Sequence, residues 1–206
     1  LHTSETTYDE QALVGIVGVD RDQDHTAYER FTRHGPLALL PLDTRRFALA
    51  WTLPADEAQD TQALSQSDFL EKLQEVFGDR LGFFTRCDRV KVYPLRRADM
   101  AEPVSDRVVA LGNAAHVVHP VAGQGFNLGL RDVAQLAEEL AHALADGNDI
   151  GNPAVLAGYA RSRRSQSRRV LHFTDGLLRI FSNETLGTRL ARNIGLSTLE
   201  VLPPAK

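Results

Sequence analysis

A chain of 206 residues with 43% hydrophobic content is long enough to bury a core, yet it fits no more than about one and a half ordinary domains. Its 23 basic residues against 27 acidic ones leave a net charge of −4, so it lacks the global positive field by which nucleic-acid binders gather phosphate. The single cysteine, Cys87, forms no internal disulfide and no thiolate-rich metal site, which sets the expectation of a reducing, cytoplasmic setting, and no stretch reaches the roughly 18 apolar residues of a membrane-spanning helix.

Taken in chain order, the first half reads as strands. Gln11–Val19, Pro36–Leu42, Phe47–Leu53 and Val90–Leu95 are short apolar or alternating runs bounded by Gly, Pro and Asp, and together they predict an antiparallel sheet. Between them Phe69, Leu70, Leu73, Val76 and Phe77 recur at helical spacing, with Ser67 expected as N-cap and Gly78 as the stop. This predicts one amphipathic helix lying on the sheet. Arg107–Gly112 (RVVALG) reads as a short buried strand. Leu130, Val133, Ala137, Leu140 and Leu144 mark a long helix that begins near Gly125 and runs to about Gly147. Asn152-Pro153 then supplies an N-cap followed by Pro at the first helical position, with Leu156, Tyr159, Ser167, Val170, Thr174, Leu177 and Phe181 continuing on one face. A last helix is expected over Leu186–Leu199. The fold class is therefore α+β.

The chemistry concentrates in Arg107–Asp132, RVVALGNAAHVVHPVAGQGFNLGLRD. Gly123, Gly125 and Gly129 open a helix directly after Pro120, so the backbone there can approach a ligand closely and aim N–H groups at it. A helix start of this kind suits anions and polarised oxygens, although a glycine-rich turn is as often a tight connection as a ligand cradle. The spacing G-x-G-x-x-x-G is one residue longer than the dinucleotide fingerprint, and HVVHPVA separates it from the preceding strand, so that fingerprint is excluded.

Gly112-Asn113-Ala114-Ala115-His116, followed by Pro120-Val121-Ala122-Gly123-Gln124-Gly125-Phe126-Asn127 and Arg131-Asp132, resembles the second flavin-contacting motif, G-D-A-A-H…P-x-x-G-Q-G-x-N…D, of the FAD-dependent aromatic hydroxylases. The flanks RFTRHGPLALLPL (Arg30–Leu42), the strand around Trp51, VYPL (Val92–Leu95) and RNIGLSTLE (Arg192–Glu200) are similar to one branch, the hydroxylases of ubiquinone biosynthesis that act on 2-octaprenyl-6-methoxyphenol. Asn113 stands where most members carry Asp; it donates as well as accepts and brings no charge beside a pyrophosphate, and this branch shares the change.

The resemblance implies FAD as cofactor, NAD(P)H as reductant, and dioxygen and a polyprenylated phenol as substrates. Gly112, Asn113, Pro120, Gly123, Gln124, Gly125, Phe126 and Asn127 would contact the flavin. It also implies an upstream G-x-G-x-x-G segment that these 206 residues lack, so the chain is expected to be a fragment without activity by itself. Residues 1–104 would form part of the substrate-binding sheet domain, and 105–206 the returning part of the FAD-binding domain plus C-terminal helices. Peripheral association with the inner membrane or with a ubiquinone-biosynthesis complex, and self-association through the surface left by the missing domain, are further expectations. Two alternatives stay open: a flavin hydroxylase of a soluble, benzoate-like aromatic, and a non-catalytic interaction module.

The remaining candidates have plainer readings. Leu40, Trp51 and Tyr93 are proposed substrate contacts, although aromatic residues in strands are commonly core. His116 and His119 lie three apart without the further ligands a metal site requires, so no metal is expected, and no residue is singled out as a catalytic acid or base. Arg161–Arg169 (RSRRSQSRR) holds five arginines in nine residues and reads as a solvated helix face rather than a nucleic-acid or lipid patch.

Overall fold

The computed structural model describes residues 2–119 and 123–164, with the single positions 169 and 176. The chain divides into two compact units: among the described residues, Asp9–Leu95 forms one, and the residues up to Tyr8 join those after Leu95, within Arg96–Leu177, in the other. The division falls inside two 17-residue strands, β1 (Thr3–Val19) and β5 (Phe84–Met100), each of which gives one end to each unit.

In the Asp9–Leu95 unit, β2 (Tyr28–Thr32), β3 (Gly35–Pro41) and β4 (Arg46–Pro54) join β1 and β5 in the order β2-β3-β4-β1-β5. The β1–β4, β2–β3 and β3–β4 pairings are antiparallel, with Leu13 opposite Trp51 and Leu37 opposite the same residue on the other side. Because side chains alternate along a strand, Leu13 and Val17 of β1, Leu37 and Leu39 of β3, and Phe47, Leu49, Trp51 and Leu53 of β4 all meet on one buried face. Two helices cover that face, α1 (Ala55–Ala63) through Ala58 and α2 (Gln66–Phe77) through Phe69, Leu73 and Phe77. Edge-to-face rings lock the layer: Trp51 on Phe69 at 6.4 Å and Phe77 on Phe84 at 5.8 Å. Cys87 lies half-buried against this core, where burial, with the charge of Asp88, pushes its thiol up to about 11 and keeps it unreactive.

The second unit contains the short hairpin β6 (Val104–Ser105) and β7 (Val108–Val109), a 3₁₀ turn over Gly112–Ala114, and β8 (His116–Val117), which pairs with Ala98–Asp99 of β5. The helix α3 (Gln124–Ala145) follows, and then α4, which covers 153–164 of the described residues. Asn152 caps α4 through its side chain, which accepts from Ala154 N at 2.9 Å, as its position before Pro153 predicts.

Three local expectations change. The strand anticipated over Arg107–Gly112 shrinks to Val108–Val109, because the left-handed turn at Asp106 and the Gly112 turn leave only that much extended chain, and Val108 is exposed. Elements without an apolar run long enough to register, β2 and α1, are present. The α2 cap is Ser65, not Ser67: the Ser65 hydroxyl accepts from Asp68 N, and Gly78 ends the helix as expected. The continuation of α4 through Ser167, Val170, Thr174, Leu177 and Phe181, and the helix expected over Leu186–Leu199, lie outside the described residues. Ser65→Ala is expected to cost about 1 kcal/mol, the usual scale of a lost N-cap, while Ser67→Ala stays within about 0.5 kcal/mol; urea unfolding of both variants checks the assignment.

Candidate functional site

Two backbone features of the second unit build one surface. Gly123 takes the left-handed conformation (φ 59°, ψ 25°) and α3 starts immediately after it, with no capping side-chain hydrogen bond from Gly123 and no acidic residue in its first turn. A β-carbon at Gly123 would meet nothing within 4 Å, so the backbone conformation rather than crowding by this chain demands glycine there. The other feature is the 3₁₀ turn at Gly112 (φ 54°), which packs backbone against backbone on α3: a β-carbon on Gly129 would lie 3.4 Å from the Gly112 Cα. The motif glycines therefore bring the Gly112–Asn113 turn against the early turns of α3.

The residues expected to contact flavin are placed accordingly. Asn113, Phe126 and Asn127 are exposed, Phe126 to 76%, while Gly112, Gln124 and Gly125 are partly buried. Gly125 lies 3.5 Å from Val118 in terms of an added β-carbon, an ordinary contact, so packing by the described chain does not itself require glycine there. Pro120 lies outside the described residues. In the other unit Leu40 and Tyr93 are both half exposed, and strand alternation puts them on the sheet face opposite the helices. Trp51 is the correction among the expected substrate contacts: it is buried in the core under Phe69, because the register of β4 turns it to the helix-covered face.

Beneath the exposed turn lies a charged cluster that joins His116 and Asp132 of the motif to Arg163, a partner the motif does not contain. Asp132, on α3, has no solvent exposure. Its Oδ2 accepts the Gly112 N–H at 2.8 Å, its Oδ1 takes Arg163 Nε at 2.6 Å and Nη2 at 2.5 Å, and His116 Nε2 stands 2.9 Å from Oδ2 without the alignment of a hydrogen bond. Burial alone would raise the Asp132 carboxyl; the His116 contact, the Gly112 N–H and the Arg163 charge outweigh it and hold the carboxyl below its ordinary value of 3.8. Tyr159 packs beside the pair, its phenol pushed up to about 12 by burial and the Asp132 charge against the opposing effect of Arg163. A cavity of about 60 Å³ opens on this cluster, lined by Asp99, Ala115, His116, Asp132, Tyr159 and Arg163 among others.

Arg163 therefore departs from the solvated face expected of the arginine run: it is 2% exposed, while Arg161 and Arg164 are exposed. The signal was present in the sequence, since Leu156, Tyr159, Ala160 and Arg163 fall at i, i+3, i+4 and i+7 on one helix face, and Asp132 follows Leu128 by four. Each charge thus lies on an apolar stripe, and the packing of α4 on α3 is what pairs them. His119, the other histidine of the motif, is buried with its ring edge-on to Tyr8 at 5.3 Å.

A family model described as an FAD binding domain matches residues 3–174. The chain belongs to this family. It is 40% identical over 199 residues to the ubiquinone hydroxylase UbiL of Rhodospirillum rubrum, covering 97% of this chain and 46% of the relative. It is 28% identical to the human mitochondrial ubiquinone biosynthesis monooxygenase COQ6, covering 97% of this chain and 50% of that protein. Among solved structures, PqsL, a probable FAD-dependent monooxygenase from Pseudomonas aeruginosa, superposes with a TM-score of 0.73 at 25% identity, covering 89% of this chain and 51% of PqsL. The chain spans about half the length of the curated relatives it matches.

The geometry predicts a specific pH response. A carboxyl whose folded pKa is depressed stabilises the fold above its unfolded pKa of 3.8 and loses that contribution as pH falls through the folded value. Asp132→Asn, which strands the buried Arg163 charge, is expected to cost about 3–5 kcal/mol at pH 7. The gap to the parent protein should narrow below pH 3.8. Urea unfolding at pH 7 and pH 3 measures both; a gap that is constant with pH would remove Asp132 as the titrating group.

Proposed function

We propose that this segment supplies the flavin-facing turn, helix start and substrate sheet of an FAD-dependent monooxygenase that hydroxylates a polyprenylated phenol in ubiquinone biosynthesis. The observation that carries the reading is the amino end of α3 at left-handed Gly123, set against the Gly112 turn. These residues fit FAD chemically. The first-turn N–H groups of α3 favour negative charge and would suit the anionic ring of a reduced flavin, and the amides of Asn113 and Asn127 both donate and accept without adding charge. The absence of internal crowding at Gly123 and the mild contact at Gly125 leave space for close approach of a planar group to the backbone. Bound there, FAD would supply the electron storage and oxygen activation that side chains lack.

What the chain itself does is bind, orient and exclude water. Gly112, Asn113 and Gly123–Asn127 form the cofactor surface, and Phe126 adds an exposed aromatic face beside it. The sheet face opposite the helices carries Val14, Leu40 and Tyr93, all exposed, and such apolar surface suits a substrate with an isoprenoid tail. In this reading the phenol is 2-octaprenyl-6-methoxyphenol, NAD(P)H is the reductant and dioxygen the co-substrate. A lipid-soluble substrate calls for peripheral contact with the inner membrane; among the described residues no helix is long and apolar enough to cross one. The similarity to the Rhodospirillum rubrum ubiquinone hydroxylase supports this substrate class over a soluble aromatic.

The test is exchange of segments. Substituted for the matching segment of the Rhodospirillum rubrum enzyme, this chain is expected to give a protein that holds FAD and hydroxylates a polyprenylated phenol. In that protein Gly125→Glu, which adds bulk and negative charge at the helix start, should abolish flavin retention, whereas Asn113→Asp should shift flavin affinity by about 1 kcal/mol, the scale of one altered hydrogen bond. Equal flavin affinity in the two variants would remove the helix start from the cofactor site. Turnover of a benzoate-like acid in place of the prenylated phenol would overturn the substrate class.

A further inference from the structure

The buried cluster reaches the exposed turn through the Asp132 side chain. Asp132 faces no solvent, yet it accepts the N–H of Gly112, the first residue of the turn, at 2.8 Å. Arg163 fixes the carboxylate from α4 with two nitrogens on Oδ1, and its Nη2 also donates to Leu128 O at 3.3 Å, so the guanidinium ties the carboxylate to the α3 backbone one turn earlier. His116, directly after the turn, stands against the other carboxylate oxygen. Gly112 has no side chain with which to anchor itself, and its left-handed φ of 54° is kept by the Ala115 N–H on its carbonyl and the Asp132 carboxylate on its amide. The direction in which Gly112 and Asn113 present themselves is thus set by a carboxylate nine residues beyond the Gly123 helix start, on the same rigid helix.

We infer that Asp132 and Arg163 are positioning residues that hold the Gly112–Asn113 turn in register with the amino end of α3, so that both present their polar groups to one ligand. The inference rests on the reading of that surface as the FAD surface. A charge pair that merely stapled α4 to α3 would support stability without governing how the turn meets the ligand. The two roles separate when the turn is observed directly.

The experiment uses the isotope-labelled segment-exchange enzyme of the preceding test, in which this chain replaces the matching segment of the Rhodospirillum rubrum protein and keeps its own numbering, with the variants Arg163→Met, Arg163→Lys and, on the exposed part of the same run, Arg161→Ala. Amide hydrogen exchange at Gly112 is compared with that at Leu13 in the other unit, and FAD is titrated to millimolar concentration while amide shifts are followed at Gly112, Asn113 and Gly125–Asn127. In Arg163→Met, Gly112 exchange is expected to rise about tenfold relative to Leu13, the scale of a lost charge-assisted hydrogen bond. The FAD-induced shifts at Gly112 and Asn113 should disappear while those at Gly125–Asn127 persist. Arg163→Lys should recover most of the FAD response and Arg161→Ala all of it. If Arg163→Met is folded and its turn answers FAD as the parent does, the positioning role is overturned and the cofactor reading stands. If the parent shows no FAD-dependent shift at either segment, the cofactor reading fails and the positioning role with it. Should Arg163→Met not fold, Arg163→Lys decides: a lysine keeps the charge but cannot span both the carboxylate and Leu128 O, so Gly112 exchange must rise about threefold, and unchanged exchange overturns the inference.

Discussion

A carboxylate without solvent exposure keeps its charge only if the surrounding groups return what water supplied, and Asp132 meets that condition with an arginine, a histidine and a backbone amide. Much of the second unit is arranged by this requirement. The guanidinium comes from α4, the histidine follows the 3₁₀ turn, and the amide is the turn's first residue, so helix, turn and helix are brought together at one point. Apolar packing alone would tolerate some sliding between α3 and α4. A buried charge pair with two guanidinium nitrogens on one carboxylate oxygen tolerates much less, because every ångström of slip leaves a buried charge less well paired.

The consequence for function is rigidity where exposure is greatest. Asn113, Phe126 and Asn127 lie open, and nothing in their own side chains fixes them in place. Their backbone is fixed from beneath, by left-handed Gly123 at the helix start and by Asp132 under Gly112. Under the proposed role, binding of a charged, planar ligand gains from such preorganisation, since the surface dipoles need not reorganise when the ligand becomes more negative. The sheet unit follows a different logic, with one face closed by α1 and α2 around an aromatic-rich core and the other left open and apolar.

Much of this was legible in the chain. Alternation marked the four principal sheet segments because half-buried antiparallel strands repeat every two residues, and the 3.6-residue period marked α2 and α3. The glycine spacing and the motif from Gly112 to Asp132 located the candidate cofactor surface. Segments whose apolar content is slight, β2 and α1, escaped because their burial comes from neighbours rather than from a periodic face of their own. Trp51 illustrates a different gap: its type suits both a substrate wall and a core, and only the register of β4 shows that it belongs with Phe69.

The sequence by itself determined the α+β class, the extent of α3 and its start directly after a glycine, because each depends on short-range periodicity or on glycine's freedom at a fixed position. Tertiary structure decided which arginine of the run is buried, which face of the sheet stays open, and that Gly112 is held by Asp132 across 20 residues of chain. Those outcomes depend on which elements meet. Burial turns an ordinary surface arginine into the partner of a carboxylate, and no local pattern states the dielectric in which a charge will lie.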